Sequence, residues 1–401
     1  MNYLKEVVIL LSGLYLISLC RRVSGDQRQI SSKGVINLAH RRSKWTPLMQ
    51  MSANLSDITS IRSFFEFRTL DPEGAVFYGD TKEGRDWFVL SLRDGIPEMQ
   101  IGKADILVSV KGGRKLNDGA WHLLELRSEG KFVVLEVNNK VELVVGLHSK
   151  LVEDDLTGKI RLALAGMLVD KQKLFHPFEP EIDACIRGGH WLNLSTTWDT
   201  DSTWEPQPCF SEIKKGSYFP GTGVAMFNTS DLPGLKTEEA GITVEIFGSW
   251  TGTTLSLQST GFEYVLGELD GNKDVKEVQL GLKEESESVA LPGEPATLTF
   301  TVLKHSLVVN SVSELETESL DFFSMWKKGM LLTFGGVPGD SEKAKSTHYL
   351  RGCLEKILVQ GQVIDLDRAL YKHTALSSHS CPTEAMNELT KSSYKAFILA
   401  G

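Results

Sequence analysis

Cysteine is the residue type in this chain whose spacing offers the clearest chemistry. Five cysteines are present, and Cys20 lies in an apolar N-terminal stretch that we interpret below as a signal. In a secreted chain the other four would usually pair as disulfides, and three pairings are open. We favour the local one, Cys185 with Cys209 and Cys353 with Cys381, because it closes two short loops of similar length. No Cys-x-x-Cys spacing occurs, so we expect neither a zinc ribbon nor a redox dithiol.

Catalytic signatures are missing from the sequence. It contains no nucleophile elbow, no His-Glu-x-x-His motif and no phosphate-binding glycine loop. The nine histidines are scattered and form no ligand-spaced pair. A net charge of -9 without a basic run disfavours nucleic acid and anionic lipid as partners. We therefore expect a binding protein and no enzyme.

The N-terminal segment has the features of a secretory signal. Residues 1–25 contain Lys5, an apolar stretch from Val7 to Cys20, and then the small-residue sequence VSG. The apolar stretch spans about 14 residues, fewer than the roughly 20 that a membrane helix needs. We expect a secreted, extracellular protein without membrane insertion, in which 26–45 form an N-terminal segment. Three Asn-x-Ser/Thr triplets are candidates for glycosylation in such a protein: Asn54, Asn193 and Asn228.

The chain contains an internal repeat. The two cysteine couples lie about 170 residues apart, a separation of the size of one domain. The sequence LALAG at 162–166 precedes the first couple much as LLTFGG at 331–336 precedes the second. We predict a tandem duplication with domains at 46–209 and 216–383 and a flexible tail at 384–401.

Short segments of alternating polarity must position these residues. Phe65, Phe67 and Thr69 point to one face of a predicted strand, and Glu66 and Arg68 point to the other. The turn sequence DPEG at 71–74 ends this strand. Similar segments recur at short intervals in both halves, and helical periodicity is scarce. The sequence therefore predicts an all-β fold of two sandwiches, each large enough for a core and an apolar pocket between its sheets.

Five runs of the first half carry a resemblance to a known family. They are FEFRTLDPEG at 65–74, FYGDT at 77–81, DWF at 86–88, LRDG at 92–95 and DGAWH at 118–122. The chain resembles laminin G-like proteins, and more narrowly those whose paired domains start directly after the signal and carry steroids in plasma. The resemblance covers nearly the whole mature chain. It implies two tandem laminin G-like, concanavalin-like jelly-roll sandwiches.

The resemblance implies that androgens and oestrogens bind in an apolar pocket of the first domain. The serine that hydrogen-bonds the steroid A ring corresponds to Ser63, beside Phe64. An aspartate for the D-ring hydroxyl corresponds to Asp86, and an aromatic wall residue corresponds to Phe88. A rigid apolar ligand with one polar group at each end suits a slot closed by two polar residues. Trp87 and Phe88 face opposite ways, so at least one is core, and we expect Trp87 to lie near the pocket.

Three wall positions depart from the pattern of the mammalian members. Lys103 stands in place of an asparagine, and Ser128 and Ile160 stand in place of methionines. Lys103 can only donate hydrogen bonds, so it could hold a keto or hydroxyl oxygen or pair with Asp86. We expect steroid binding to persist, with a changed ranking among steroids.

The resemblance also makes predictions about metals and partners. Asp71 and Glu73 match carboxylates that hold a structural calcium in the family, and hard anionic ligands suit that ion. Ala104 and Thr157 replace zinc-binding histidines, so no zinc is expected there. A homodimer is implied as well. The alternative function is an extracellular adhesion or receptor-binding protein whose paired domains engage a matrix protein or a carbohydrate through calcium and loop surfaces.

Overall fold

The structure is a computed structural model of the chain. It describes residues 35–39, 45–58, 62–103, 106–129, 132–146, 158–192, 199–200, 209–260, 262–267, 276–282, 285–291, 297–310, 313–316, 319–338 and 349–383. The predicted signal at 1–25 and tail at 384–401 lie outside these residues, as does most of the segment predicted at 26–45. The chain divides into two compact units, which we call the first domain (Met1–Glu212) and the second domain (Ile213–Gly401).

Strands dominate the first domain. They are β1 (Ile36–Asn37), β2 (Met49–Asn54), β3 (Ser63–Thr69), β4 (Gly74–Thr81), β5 (Asp86–Arg93), β6 (Ile96–Lys103), β7 (Ile106–Lys111), β8 (His122–Glu129), β9 (Phe132–Val137), β10 (Lys140–Gly146), β11 (Lys159–Leu164), β12 (Ala184–His190) and β13 (Asp199–Thr200). Short 3-10 turns lie at Leu55–Asp57, Lys82–Gly84 and Lys171–Lys173.

Strands also dominate the second domain. They are β14 (Ile213–Lys215), β15 (Ser217–Pro220), β16 (Ala225–Asn228), β17 (Ile242–Thr251), β18 (Thr253–Ser259), β19 (Phe262–Gly267), β20 (Lys276–Leu282), β21 (Glu285–Leu291), β22 (Thr297–Val302), β23 (Ser306–Val309), β24 (Ser313–Glu316), β25 (Leu331–Phe334), β26 (Arg351–Val359), β27 (Gln362–Val363), β28 (Tyr371–Lys372) and β29 (Ser380–Pro382). Its 3-10 turns lie at Thr229–Asp231 and Leu366–Arg368.

One short α-helix, α1 (Phe322–Lys328), is present among the described residues, and the sequence did not predict it. Its ends explain why so short a segment is helical. The Asp321 carboxylate accepts the backbone N–H of Ser324 at 3.0 Å, which caps the N-terminus. Lys327 and Lys328 lie in the last turn, and Gly329 follows with a φ of 106° that favours glycine.

Two antiparallel sheets form the first domain. The first sheet has the order β1-β12-β3-β8-β9-β10, and the second has the order β13-β2-β11-β4-β5-β6-β7. A single apolar core contains side chains from both sheets. The alternation predicted for β3 is confirmed, since Phe65 and Phe67 are fully buried whereas Phe64 and Glu66 are half-buried. The all-β sandwich prediction is therefore confirmed for this domain.

The second sheet of the first domain is buried on both faces. Its inner face contributes Phe88 to the core between the sheets. Its outer face carries a separate apolar cluster in which Trp87 packs with Met167, Leu174 and Phe178 from the segment after β11. Both members of the Trp87–Phe88 pair are consequently buried, although they point to opposite sides of the sheet.

The second domain repeats the strand order of the first. Its two larger sheets run β15-β26-β17-β22-β23-β24 and β19-β18-β25-β16-β28, while β14-β29 and β20-β21 form separate two-stranded sheets. Position by position, β17 corresponds to β3, β18 to β4, β19 to β5, β22 to β8 and β25 to β11. The β4–β5 pair has a bulge between Ala75 and Phe77, and the β18–β19 pair has one between Thr253 and Leu255. This shared irregularity fixes the register between the copies and supports the predicted duplication.

Both predicted disulfides are present. Cys185 bonds to Cys209 and Cys353 bonds to Cys381, with sequence separations of 24 and 28 residues. Each disulfide lies within a single domain. The first cysteine of each couple lies in the strand beside β3 or β17, at equivalent places in the two copies.

No helix in the described part of the chain is both long enough and apolar enough to span a membrane.

Candidate ligand-binding site

Ser63 begins β3 and points into the core with Phe65 and Phe67, two and four residues further on. Its side chain is fully buried. The hydroxyl oxygen accepts the backbone N–H of Leu192 at 3.1 Å. Among the described residues no group accepts the hydroxyl proton of Ser63, so this proton is available to a ligand between the sheets.

Four aromatic side chains join the two sheets next to Ser63. Phe65 stacks on Trp191 with ring centroids 5.2 Å apart and meets Phe77 at 6.1 Å. Phe77 in turn lies 5.6 Å from Phe88 and 5.4 Å from Trp191. Because Phe65 belongs to the first sheet and Phe77 and Phe88 belong to the second, this aromatic cluster forms an apolar wall between them. The sequence predicted only Phe88 at the site.

A glycine on the neighbouring strand gives the Phe88 ring its room. Gly79 lies directly opposite Phe88 in the β4–β5 ladder. A Cβ atom at Gly79 would approach Cε1 of Phe88 to 2.4 Å and Cδ2 of Leu162 to 3.0 Å. The ring therefore lies over the glycine, and any side chain there would displace it.

Four buried residues form one row across the second sheet, which we call the polar row. Lys103 lies opposite Asp86, Asp86 lies opposite Thr81, and Thr81 lies opposite Ile160. Asp86 is 2% exposed and Lys103 is 5% exposed. Residues two apart on a strand share a face, so Asp86 and Lys103 point inward like Phe88 and Ile101. The polar row therefore lies one step, about 7 Å, along the strands from the row that holds Phe88.

The remaining predicted wall positions are placed as follows. Ile160 is 1% exposed and contributes to the core between the sheets. Ser128 lies in β8 and pairs with Val133 through the backbone, but its side chain lies outside the described part of the structure, as do Ala104 and Thr157. Trp87 faces the outer side of β5, so the expectation that it lies near the pocket is wrong. Trp191 is the indole that faces the core.

The outer end of β3 is also aromatic. Phe64 stacks on His190 with ring centroids 5.1 Å apart, and the Arg62 guanidinium lies 5.4 Å from the Phe64 ring centroid. Burial, and then the positive charge of Arg62, lowers the pKa of His190. The imidazole that stacks on Phe64 is therefore neutral at physiological pH.

Asp71 and Glu73 lie in the turn between β3 and β4. The Asp71 side chain is buried, and its two carboxylate oxygens accept backbone N–H groups from Glu73 at 2.9 Å and Asp183 at 2.8 Å. This carboxylate therefore joins the turn to the segment before β12. Asp71 and Glu73 bring two carboxylates to this turn, a donor type that suits a hard cation.

The glycosylation candidates differ in exposure. The side chain of Asn54, at the end of β2, is exposed, and its amide donates to Asp57 at 3.0 Å. Asn228 is half-buried, and its oxygen accepts the backbone N–H of Ser230 at 3.0 Å, which caps a 3-10 turn. Asn193 lies outside the described residues.

At the positions equivalent to Ser63 and Asp86, the second domain carries side chains without hydrogen-bonding groups. The first disulfide cysteine of each domain pairs through the backbone with a residue of β3 or β17. The residue five positions before that partner is Ser63 in β3 and Val244 in β17, so Val244 is the equivalent of Ser63. Counting from the shared bulge, Phe262 takes the place of Asp86 and Tyr264 that of Phe88. Phe262 meets Phe322 of α1, and Tyr264 stacks on Phe300, so aromatic rings fill this space.

Comparisons with known proteins define the class. The laminin G domain family matches residues 67–196. The solved structure of the mouse laminin alpha1 chain, domains LG4-5, has a TM-score of 0.54 at 18% identity, covering 92% of this chain and 99% of that chain. The protein is therefore built from laminin G-like domains in tandem.

Curated relatives narrow the class. Sex hormone-binding globulin of Rattus norvegicus is 33% identical over 356 residues, and that of Homo sapiens is 30% identical over 352 residues; each match covers 85% of both chains. Growth arrest-specific protein 6 of Mus musculus is 27% identical over 84% of this chain and 54% of that protein. The chain belongs to the sex hormone-binding globulin family. It is accordingly a binding protein and not an enzyme.

Proposed function

We propose that this protein is a secreted plasma carrier that binds one androgen or oestrogen non-covalently between the sheets of its first domain. The Ser63 hydroxyl carries this proposal, because it is buried, held by Leu192 and has a proton to donate. Its partner is the oxygen on the steroid A ring. The apolar rings of Phe77, Phe88 and Trp191 pack against the steroid skeleton, and the polar row receives its other end.

Burial of the steroid and its hydrogen bond to the protein contribute differently to binding, for reasons that lie in the chemistry of the ligand. A steroid is a rigid apolar slab, so its burial supplies most of the binding free energy. A buried hydrogen bond discriminates between ligands, because a ligand without an oxygen opposite Ser63 leaves the Ser63 hydroxyl proton unpaired. The absence of equivalent polar groups at Val244 and Phe262 supports a single steroid site per chain, in the first domain.

Equilibrium dialysis of the full chain against labelled dihydrotestosterone tests the proposal through Ser63→Ala. We expect the dissociation constant to rise about 5- to 150-fold, which corresponds to about 1–3 kcal/mol for a lost buried hydrogen bond. Ser91→Ala is the matched control, since Ser91 is a buried serine on the outer face of β5.

Ser63→Ala also leaves the Leu192 N–H without its acceptor, so the melting temperature is measured alongside. A folded Ser63→Ala protein that binds dihydrotestosterone as tightly as the wild type would refute the assignment. A loss of affinity in Ser91→Ala equal to that in Ser63→Ala would attribute the effect to general destabilisation.

We also propose a structural calcium ion held by Asp71 and Glu73, with backbone carbonyls completing the shell. The buried Asp71 carboxylate at a tight turn supports this, because calcium prefers oxygen ligands. Excess calcium should raise the melting temperature of the EDTA-treated protein, and Asp71→Asn should remove that response. An identical melting temperature with and without calcium would contradict the proposal.

Secretion, glycosylation at Asn54 and a homodimer complete the proposal. The exposure of the Asn54 side chain supports attachment of a glycan there. The homodimer rests on the resemblance to the steroid-carrying proteins and is tested by sedimentation of the purified chain.

A further inference from the structure

The end of β12 contacts both faces of the strand that carries Ser63. His190 lies opposite Phe64 in the β12–β3 ladder, and its imidazole stacks on the Phe64 ring on the outer face of the first sheet. Trp191 points inward and belongs to the aromatic cluster. Leu192 donates its backbone N–H to the Ser63 hydroxyl oxygen at 3.1 Å. Three consecutive residues therefore link the outer face, the apolar wall and the buried hydroxyl.

The backbone at the end of β12 is strained, so side-chain contacts must hold it. The register of the β12–β3 pair shifts between Arg187 and His190. Leu192 has a φ of 49°, in the left-handed region that a leucine rarely adopts. Residues in such conformations persist only where their surroundings fix them. The stack of His190 on Phe64 is a contact that fixes this segment from the outer face.

The outer face around His190 already carries an excess of positive charge. Arg62 lies 5.4 Å from the centroid of the Phe64 ring, and its guanidinium pairs with Glu125 at 2.6 Å. The described charged side chains that face this pair from β3, β8, β9, β12 and the residue before β3 are Arg62, Glu66, Arg68, Glu125, Arg127, Glu136 and Arg187. Each glutamate of this set already pairs with an arginine. A proton on His190 would therefore add a further positive charge beside Arg62.

We propose that His190 is a positioning residue of the steroid site, whose neutral imidazole holds the end of β12 so that the Leu192 N–H meets Ser63. This inference rests on the proposed function, since it concerns the hydroxyl that donates to the steroid A ring. The Leu192 N–H occupies one lone pair of the hydroxyl oxygen and so limits the directions in which the hydroxyl proton can point. A charged imidazole is repelled by Arg62, which weakens the stack and loosens the contact between Leu192 and Ser63.

Steroid binding should therefore depend on pH in one direction. Burial and then the charge of Arg62 lower the pKa of His190 below its ordinary value of 6.5. The imidazole is neutral above this value, so binding should not depend on it there. Because the neutral form positions Ser63, affinity should fall as the pH drops below about 6.5. One proton can change the affinity by at most about tenfold per pH unit.

Equilibrium dialysis of the full chain against labelled dihydrotestosterone at about pH 7.5 and about pH 5.5 tests this role. The dissociation constant of the wild type should rise about three- to tenfold at the lower pH. His190→Phe keeps a flat ring for the stack on Phe64 and cannot take a proton, so its dissociation constant should change less than about twofold. Ser63→Ala should also lose the pH dependence, because the hydroxyl through which His190 acts is gone.

His176→Phe is the matched control, since His176 is a half-buried histidine on the outer face of the second sheet, where it pairs with Glu98 at 2.8 Å. It should keep the pH dependence of the wild type. If His190→Phe does not fold, His190→Gln takes its place, because the glutamine amide is planar and uncharged at both pH values. Circular dichroism shows whether each protein is folded at both.

The outcomes separate the role of His190 from the proposed function. If the wild type does not bind dihydrotestosterone at the higher pH, both fail. If it binds equally at both pH values, or if His190→Phe keeps the wild-type pH dependence, the role of His190 is wrong while the carrier function stands. A pH dependence that persists in Ser63→Ala would also overturn it, because His190 would then act elsewhere than on Ser63.

Discussion

At the scale of single residues, two buried tyrosine hydroxyls differ in whether they make a hydrogen bond. The Tyr78 hydroxyl donates to Asp80 at 2.6 Å on the outer face of the second sheet. The Tyr264 hydroxyl, at the position equivalent to Phe88, is buried without a hydrogen-bond partner among the described residues. Burial raises the pKa of Tyr264, and burial together with the Asp80 charge raises that of Tyr78. Both hydroxyls therefore stay protonated, but only the Tyr78 hydroxyl makes a hydrogen bond that compensates for its loss of contact with water.

This contrast predicts opposite effects of the same substitution. Tyr264→Phe should raise the stability of the second domain by about 1 kcal/mol, or about 2–4 °C in its melting temperature, because an unsatisfied polar group is removed. Tyr78→Phe should lower the stability of the first domain by about 1–2 kcal/mol, because Asp80 loses a donor. Differential scanning calorimetry of the full chain measures both. A destabilised Tyr264→Phe would mean that the hydroxyl has a partner, such as an ordered water.

At the scale of strands, two glycines make room for aromatic rings, one on each face of the second sheet of the first domain. Gly79 makes room for Phe88 on the inner face. Gly102 makes room for Trp87 on the outer face, where a Cβ atom would lie 2.3 Å from Nε1 of the indole. The two glycines lie in β4 and β6, on either side of β5, and each faces an aromatic residue of that strand.

Gly79→Ala should displace Phe88 and weaken dihydrotestosterone binding by about tenfold or more, because the apolar wall of the site changes shape. Gly102→Ala should displace Trp87 instead and leave the affinity unchanged. Each variant should lose about 1–3 kcal/mol of stability through overpacking. Dialysis and thermal unfolding of both proteins check this. Equal losses of affinity would show that the inner and outer faces are not independent.

Alternation and turn chemistry allowed many of the strands to be predicted from the sequence. Alternating Phe65 and Phe67 identified β3. The turn at Asp94–Gly95, with φ values of 58° and 77°, closes the β5–β6 hairpin with residue types typical of such turns. The helix α1 is too short to show helical periodicity. Trp191 could not be predicted because its inward position depends on a register shift in the β12–β3 pair, between partners far apart in sequence.

The site was predictable only in part for similar reasons. Ser63, Asp86, Phe88, Lys103 and Ile160 followed from the resemblance, and the structure places all five side chains on inner faces of the sheets. That Asp86, Lys103 and Ile160 share one row follows from strand register, which the sequence does not reveal. Burial of the outer face, which takes Trp87 away from the site, depends on the segment after β11 folding back over the sheet.

At the scale of the whole molecule, duplication kept the sheets and changed the interior. The two domains share strand order and the bulge position, and each has its own disulfide. The equivalents of Ser63 and Asp86 are Val244 and Phe262, which can neither donate nor accept a hydrogen bond through their side chains. Tandem copies of one fold therefore need not have equal binding capacity.

The number of steroid molecules bound per chain tests the central claim most directly. Equilibrium dialysis of the full chain with labelled dihydrotestosterone, carried to saturation, measures this number. We predict one steroid per chain, and the loss of this saturable binding in a variant that combines Ser63→Ala with Gly79→Ala, provided that calorimetry shows it to be folded. Absence of saturable binding, or two equivalent sites per chain, would contradict a single steroid site between the sheets of the first domain.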